Sequence, residues 1–342
     1  MTATHSHGDG QMRYFGSKAS TANLLAEIIG EAVPGGSLCD PFGGIAIVSQ
    51  RFKQAGYAVT SGDILHCAHA FQVAKLEFNG LPRFEALKSA LRLQSVHEVS
   101  AYLDDLPPRY GWIYHEFSRK RQFFTAANGA AIDSVRMRID EWRQANLLTR
   151  SEDVYLTACL IDSMDRVANT AGTYYAFLKT WTRKAINPFK FRMIEPISGQ
   201  AECVSYLIDA EQLAARKAYD ILYLDPPYNE RNYAGYYHLP ETIATARAPR
   251  PKGRSGVAAA PKPFSAFTRP SLAPRALEKL LERATFRFLA LHYSDEGLIS
   301  PDTIHHLLGS RGSVKRIEIT APGYSTTSEP RRIRHVVYLV NP

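Results

Sequence analysis

From Lys18 to Gly80 the chain alternates between two hydrophobic periods. Apolar residues recur at helical spacing up to about Gly30, and Pro34-Gly35-Gly36 then breaks the pattern as a turn. Ser37-Leu38-Cys39 is a short apolar run that stops at Asp40, and "DPFGGIAIVSQRFKQAG" reads as a loop followed by a helix. "YAVTSGD" (57–63) alternates like a strand and also ends on an acid, Asp63, before helical spacing resumes as far as Asn79-Gly80. Between 82 and 190 strand runs vanish, helical spacing dominates, and Arg and Lys are frequent. Strand patterns return in "YDILYLD" (219–225), "FRFLALHYS" (286–294), "VKRIEIT" (314–320) and "RHVVYLV" (334–340). Helix and strand in alternation predict an α/β fold built on a doubly wound, mostly parallel sheet. The helical stretch interrupts that sheet as an insertion.

The expected organisation is a disordered leader (1–11), a sheet-building domain (12–81 and 191–342) and a helical insertion (82–190). The segment 246–275 is rich in Pro, Ala, Arg and Lys and has no acids, which predicts a mobile basic loop. No apolar run approaches the roughly 20 residues that cross a bilayer, and the polar start lacks a signal-peptide core. Membrane association is therefore not expected. Cys39, Cys67, Cys159 and Cys203 are widely spaced, as in a protein of a reducing, cytoplasmic setting. His66, Cys67 and His69 have helical spacing but no partner pair, so no metal site is expected. The 342 residues carry a net charge of +8, which suits a polyanionic partner such as nucleic acid.

Asp40, Asp63 and Asp225 each sit where a candidate strand ends, and in open α/β sheets ligands bind beyond those ends. Phe42-Gly43-Gly44 makes a strand-to-helix turn that lets backbone approach a ligand closely. Asp63 follows Asp40 by the distance, about 20 residues, that separates a nucleotide loop from its ribose-binding acid. These features point to an adenosine-containing cofactor. The G-x-G-x-x-G fingerprint is missing, which argues against a nicotinamide dinucleotide.

"DPPY" (225–228) after a hydrophobic strand resembles the catalytic motif of amino-methyltransferases that use S-adenosylmethionine. "DPFGG" (40–44) resembles their cofactor motif, D-x-F-x-G-x-G, and "RYFGSK" (13–18) resembles the N-terminal motif of the α-class, Dam-like DNA adenine methyltransferases. The motifs also come in that family's order. "RQFFTAANGAAIDSVR" (121–136), "ANTAGTYYAFLK" (168–179), "DPPYNERNYAGYYHLPETI" (225–243) and "HYSDEGLIS" (292–300) resemble a subgroup from restriction–modification systems.

The resemblance implies methyl transfer from S-adenosylmethionine to the exocyclic amino group of a flipped-out adenine in double-stranded DNA. It implies Asp225, Pro226, Pro227 and Tyr228 as catalytic residues. Tyr14, Gly16, Lys18, Asp40, Phe42, Gly43, Gly44 and Asp63 would bind the cofactor. It also implies a helical insertion that reads DNA, a possible cognate restriction endonuclease, and a place in the cytoplasm at the nucleoid. Ala46 stands where the family's third glycine often lies, which is compatible with a negative φ there. No clear Asp precedes the catalytic strand in "SGQAECVSYL" (198–207), which leaves Gln200 or Glu202 for the cofactor adenine.

"SRKRQFF" (118–124) joins Arg119, Lys120 and Arg121 to aromatic residues, and Tyr174, Tyr175, Lys179, Trp181, Arg183 and Lys184 form a second cluster. Both are candidates for phosphate or base contact, as are Asn229, Arg231 and Tyr233 directly after the motif. Asp162 and Asp165 read as structural acids. Cytosine, RNA or protein glutamine as the methyl acceptor, or a catalytically inactive DNA-binding specificity module, are the alternatives.

Overall fold

The computed structural model describes residues 18–322 and 332–342, apart from 19, 232 and 259–262. The expected leader, and most of the "RYFGSK" motif, lie outside the described residues. The chain forms two compact units. One comprises Ser17–Gly80, Pro196–Ala234 and Lys262–Pro342; the other includes Leu81–Glu195 and Gly235–Pro261.

The strands are β1 (Ser37–Asp40), β2 (Ala58–Asp63), β3 (Val204–Leu207), β4 (Ala218–Leu224), a short pair β5 (Pro251–Lys252) and β6 (Val257–Ala258), then β7 (Thr285–Ser294), β8 (Ser313–Pro322) and β9 (Arg332–Asn341). The helices are α1 (Ala22–Ala32), α2 (Ile47–Gln54), α3 (His66–Gln72), α4 (Glu85–Leu91), α5 (Val96–Asp104), α6 (Ala126–Gln144), α7 (Arg150–Asp165), α8 (Ala210–Ala214), α9 (Tyr233–Tyr236), α10 (His238–Ala244), α11 (Ala273–Arg283) and α12 (Pro301–Gly309).

The first unit is a seven-stranded sheet in the order β3-β2-β1-β4-β7-β9-β8. β1, β2, β3, β4 and β7 are parallel; β9 runs antiparallel to both β7 and β8. Alternation along β4 explains how the sheet is covered. Ile221 and Tyr223 join Leu25 and Ile29 of α1 and Phe52 of α2 in one core. Leu222 and Leu224 join Leu213 of α8, Leu277 and Leu280 of α11 and Leu308 of α12 in the other. A strand buried on both faces reads as a continuous hydrophobic run, as β4 does. From β1 the chain builds outward to β2 and β3, then crosses to β4 on the other flank of β1. The crevice beyond β1 and β4 is therefore the topological switch point, where such sheets bind ligands.

The second unit is helical. Every residue of α7 from Tyr155 to Asp165 is buried. A capping box between Thr149 and Glu152 starts the helix. Asn128 on α6 is 3 % exposed; its amide donates to the carbonyls of Ala185 (3.1 Å) and Asn187 (2.9 Å) and accepts from Phe189 N–H (2.9 Å).

The segment 246–275, expected as one mobile loop, carries the β5–β6 hairpin, a 3-10 turn at Ala266–Thr268 and the start of α11. Two contacts in the helical unit hold its first part: Trp112 Nε1–H donates to Pro249 O (3.1 Å) and Arg121 Nη2 to Gly253 O (3.1 Å). Gly256 turns at φ 72, and a Cβ there would come within 2.8 Å of Arg121 Nε. The hairpin needs only backbone acceptors and glycine turns, so a Pro- and Arg-rich composition does not prevent it.

Replacing Asn128 by Ala strands two carbonyls and one N–H in the interior. At about 1–3 kcal/mol per buried unsatisfied group, the loss of stability should be on the order of 3 kcal/mol in urea unfolding. A loss below about 0.5 kcal/mol, the usual size for a surface substitution, would show that the turn at 185–189 stands without it.

Candidate active site

The turn after β1 is built by close approach. Gly43 N–H donates to Gly62 O (2.9 Å), and a Cβ on Gly43 would lie 2.0 Å from Ser61 Oγ, so only glycine fits. Asp63, at the end of β2, accepts from Gly44 N–H (3.2 Å) and Leu65 N–H (2.9 Å), and so ties the turn to the neighbouring strand. Gln72 and Lys75 hold it from α3 and the π-helical turn Val73–Glu77 after it: Gln72 Nε2 donates to Gly44 O (3.0 Å), Lys75 Nζ to Ile45 O (2.7 Å). Neither belongs to a sequence motif; polar residues on the buried side of a helix are the signal that could have found them.

Ala46 corrects an expectation. It adopts φ 61, in the left-handed region, because its N–H closes the turn onto Gly43 O (2.8 Å) before α2 begins. Asp40 is buried at 2 % exposure, and its Oδ2 accepts from Ser49 Oγ (2.5 Å). Burial, with the negative charge of Asp225 and Asp63 nearby, pushes its carboxyl up to about 7. Asp40 is therefore an interior post under the turn. Phe42 is half-buried and meets the buried Phe267 edge-on at 5.0 Å.

Asp225 follows β4 directly. Its Oδ2 is 2.7 Å from Lys18 Nζ, in a pair whose side chains are 9 % and 15 % exposed. Lys18, expected at the cofactor, is thus placed on the motif's acid. Burial raises the Asp225 carboxyl above the usual range, and the Lys18 ammonium opposes that shift. Pro226 is buried, Pro227 and Tyr228 half-buried. The Tyr228 ring stands edge-on to Tyr293 (6.3 Å) and His335 (6.0 Å), and Lys18 Nζ lies 5.7 Å from its centroid. His292 Nδ1 is 3.9 Å from Asp225 Oδ1.

Gln200 and Glu202 are corrected by register. Thr60 pairs with Val204 and Asp63 with Leu207, so both residues precede β3, at the end of the sheet where strands begin. They line a cavity of about 590 Å³ with Glu77, Asn79 and Tyr206. The acid at the correct end is Asp209. Ile208 N–H donates to Asp63 O (3.0 Å), and Asp209 Oδ1 accepts from Glu211 N–H (2.9 Å) to cap α8. "YLID" carries the same strand-then-acid signal as "LCD", "SGD" and "YLD", but β3 is too short to stand out as a strand.

Tyr14 and Gly16 lie outside the described residues. In the helical unit Arg119, Lys120, Lys179 and Arg183 are exposed. Arg121 is not free: it pairs with Glu116 (3.0 Å) as well as bonding Gly253 O, and Lys120 pairs with the same Glu116 (2.6 Å). Tyr174 is fully buried, stacks on Phe123 and donates to Asp165 (3.0 Å), so it is a core residue; its neighbour Tyr175 is 60 % exposed. Asp162 pairs with Arg166 (2.9 Å). In the sheet unit Asn229 accepts from Arg231 N–H (3.1 Å), Arg231 is exposed, and Tyr233 opens α9. Among the described residues no cluster of three or more His, Cys, Asp or Glu could hold a metal ion, and no helix is long and apolar enough to cross a membrane.

The open α/β sheet thus brings a glycine turn and an Asp-Pro-Pro-Tyr strand end together at its switch point, where such sheets bind ligands. The model of the D12 class of N6 adenine-specific DNA methyltransferases matches residues 14–304, and the chain belongs to that family. It is 32 % identical over 307 residues to the Type II methyltransferase M.FokI of Planomicrobium okeanokoites, covering 88 % of this chain and 47 % of that protein. It is 31 % identical over 315 residues to the Type II methyltransferase M.NlaIII of Neisseria lactamica, covering 90 % of each. The chain thus spans about half of the first relative and most of the second.

Two outcomes test this geometry. The folded chain keeps a proton on Asp40 that the unfolded chain releases above pH about 4. Asp40 therefore favours the folded state at low pH, and that contribution is lost as pH rises through about 7. The stability difference between wild type and Asp40→Asn should accordingly change between those limits in thermal melts; parallel curves would contradict the buried placement. Gly43→Ala should weaken S-adenosylmethionine binding in calorimetry by at least about tenfold, the equivalent of 1.4 kcal/mol. Unchanged affinity would mean the turn does not shape the cofactor site.

Proposed function

We propose that this chain methylates N6 of an adenine flipped out of a specific site in duplex DNA. The observation that carries the reading is Asp225 at the end of β4, at the switch point, next to the turn built on Gly43. The fit to S-adenosylmethionine rests on that turn. Its backbone is brought so near β2 that Ser61 and Gln72 exclude a side chain at Gly43. The half-buried ring of Phe42 offers a π face to a sulfonium. Asp63 is the acceptor for ribose hydroxyls, and Asp209 for the amino group of the cofactor's adenine. The bound donor supplies a methyl carbon made electrophilic by a positively charged sulfur.

The amino nitrogen of adenine is a weak nucleophile because its lone pair is delocalised into the ring. Asp225 accepts from one N–H and the Pro226 carbonyl from the other, which favours a pyramidal nitrogen with its lone pair freed. Two prolines in series restrict the backbone that aims the carbonyl. Tyr228 offers the face on which the base stacks. A stacked base in a duplex cannot reach such a pocket, hence the flipping. As the methyl arrives, positive charge grows on nitrogen, and the carboxylate stabilises it and lies nearest to take the departing proton. Burial raises the affinity of Asp225 for that proton, and the Lys18 ammonium opposes the rise.

Arg119, Lys179, Arg183 and the exposed Tyr175 and Trp181 are the DNA contacts of the helical unit; Asn229, Arg231 and Tyr233 serve the target nucleotide. Arg250, Lys252 and Arg254 of the hairpin grip phosphates. The chain acts on cytoplasmic DNA as the protecting partner of a restriction endonuclease.

Asp225→Ala should lower turnover on unmethylated amplified DNA by about 10²–10³ while S-adenosylmethionine binding survives. Near-normal single-turnover methylation would sink the role. Replacing Arg250, Lys252 and Arg254 together by Ala should flatten the log–log salt dependence of DNA binding by about 0.9 for each phosphate no longer neutralised. A wild-type slope would make the hairpin a spacer.

A further inference from the structure

Behind Asp225 the sheet buries two imidazoles that the methyl-transfer scheme does not use. Leu224 pairs with Leu291, so His292 on β7 stands beside Asp225. His292 is 0 % exposed, and neither ring nitrogen has a hydrogen-bond partner among the described residues. His335 on β9 is 7 % exposed, and its Nδ1 is likewise without one. The two rings lie 4.9 Å apart at 53°. Buried polar groups are nearly always paired, and leaving one unpaired costs about 1–3 kcal/mol. His292 lies between Leu291 and Tyr293 on a strand where Leu289 and Ala290 are also fully buried, so an aliphatic side chain would suit the packing better. An imidazole here calls for a partner that arrives later.

That partner is the other oxygen of the catalytic carboxylate. Lys18 holds Oδ2 at 2.7 Å, whereas Oδ1 stands 3.9 Å from His292 Nδ1, about 1 Å beyond hydrogen-bond reach. A carboxylate anchored at one oxygen can swing about that contact, and an acceptor for the adenine amino group has to be aimed. A second cation on the free oxygen would aim it but would also weaken it as an acceptor. A neutral donor aims it without that cost, and burial, with the Lys18 charge adding, lowers the His292 imidazole well below its usual range. Each carboxylate oxygen has two lone pairs, so Lys18, His292 and the substrate N–H can all be accepted together.

We propose that His292 is a positioning residue for methyl transfer: its Nδ1–H closes onto Asp225 Oδ1 when the target amino group engages the carboxylate, and the His335 ring packed against it fixes its plane. The inference rests on the adenine-methylation reading above.

The test is steady-state and single-turnover methylation of unmethylated amplified DNA by wild type, His292→Leu, His292→Asn and His292→Gln, with S-adenosylmethionine affinity measured for each. The Asn side-chain amide places a donor where Nδ1 stands, and that of Gln places one where Nε2 stands. His292→Leu and His292→Gln should lose about 10-fold to 10²-fold in kcat, as for a misaimed catalytic group, with KM for both substrates little changed. His292→Asn should keep most of the rate. A His292→Leu enzyme with wild-type kcat, or equal losses in the Asn and Gln variants, would overturn the proposal. If the Leu variant does not fold, the comparison of Asn with Gln decides alone. An active wild type with an inactive Asp225→Ala enzyme leaves the methylation reading standing whatever the His292 series does. A wild type inactive on every DNA overturns both.

Discussion

The site depends on burying carboxylates where strands diverge. Asp40 and Asp225 end β1 and β4, neighbours in the sheet, and both carboxyls are raised by loss of water. Two acids so close could not both be ionised without help. The chain resolves this differently for each. Ser49 donates to Asp40, whose carboxyl titrates near neutrality, while Lys18 places a full positive charge on Asp225. A buried ion pair of this kind stabilises a fold little, because desolvation offsets its Coulomb gain. Here the Lys18 ammonium opposes the rise that burial imposes on Asp225 and holds one of its oxygens in place.

The glycine turn after β1 depends on the same crevice. It is held from three sides: by Gly62 O and Asp63 from β2, by Gln72 from α3, and by Lys75 from the π-helical turn. The left-handed backbone of Ala46 is a conformation that costs an alanine about 1–2 kcal/mol. It persists because the turn is anchored on both sides. Short π-helical turns recur at functional sites, and the one here aims a buried lysine at the turn's carbonyl.

What is legible in the sequence follows from burial. β4 from Ile221 to Leu224 and β7 from Phe288 to Leu291 are buried on both faces and read as apolar runs, and the motif at the end of β4 is local, so both can be read directly. β3 is a four-residue edge strand with a mixed burial pattern, so no periodicity marks it, and Asp209 is hidden with it. Lys18 can be assigned to a motif but not to Asp225, because nothing local records a contact between residues so far apart in the chain. Tyr174 and Arg121 look like DNA contacts from their neighbours. They turn inward because Asp165, Glu116 and a hairpin carbonyl accept from them, and the exposed Tyr175 one position on looks no different in sequence.

The most direct test is to sequence DNA from cells that express the chain and lack other methyltransferases, with detection of modified bases. N6-methyladenine is predicted at nearly every copy of one short sequence, and none when Asp225 is replaced by Ala. Methylated cytosine, methylation without sequence preference, or unmodified DNA would contradict a site-specific adenine methyltransferase built on Asp225.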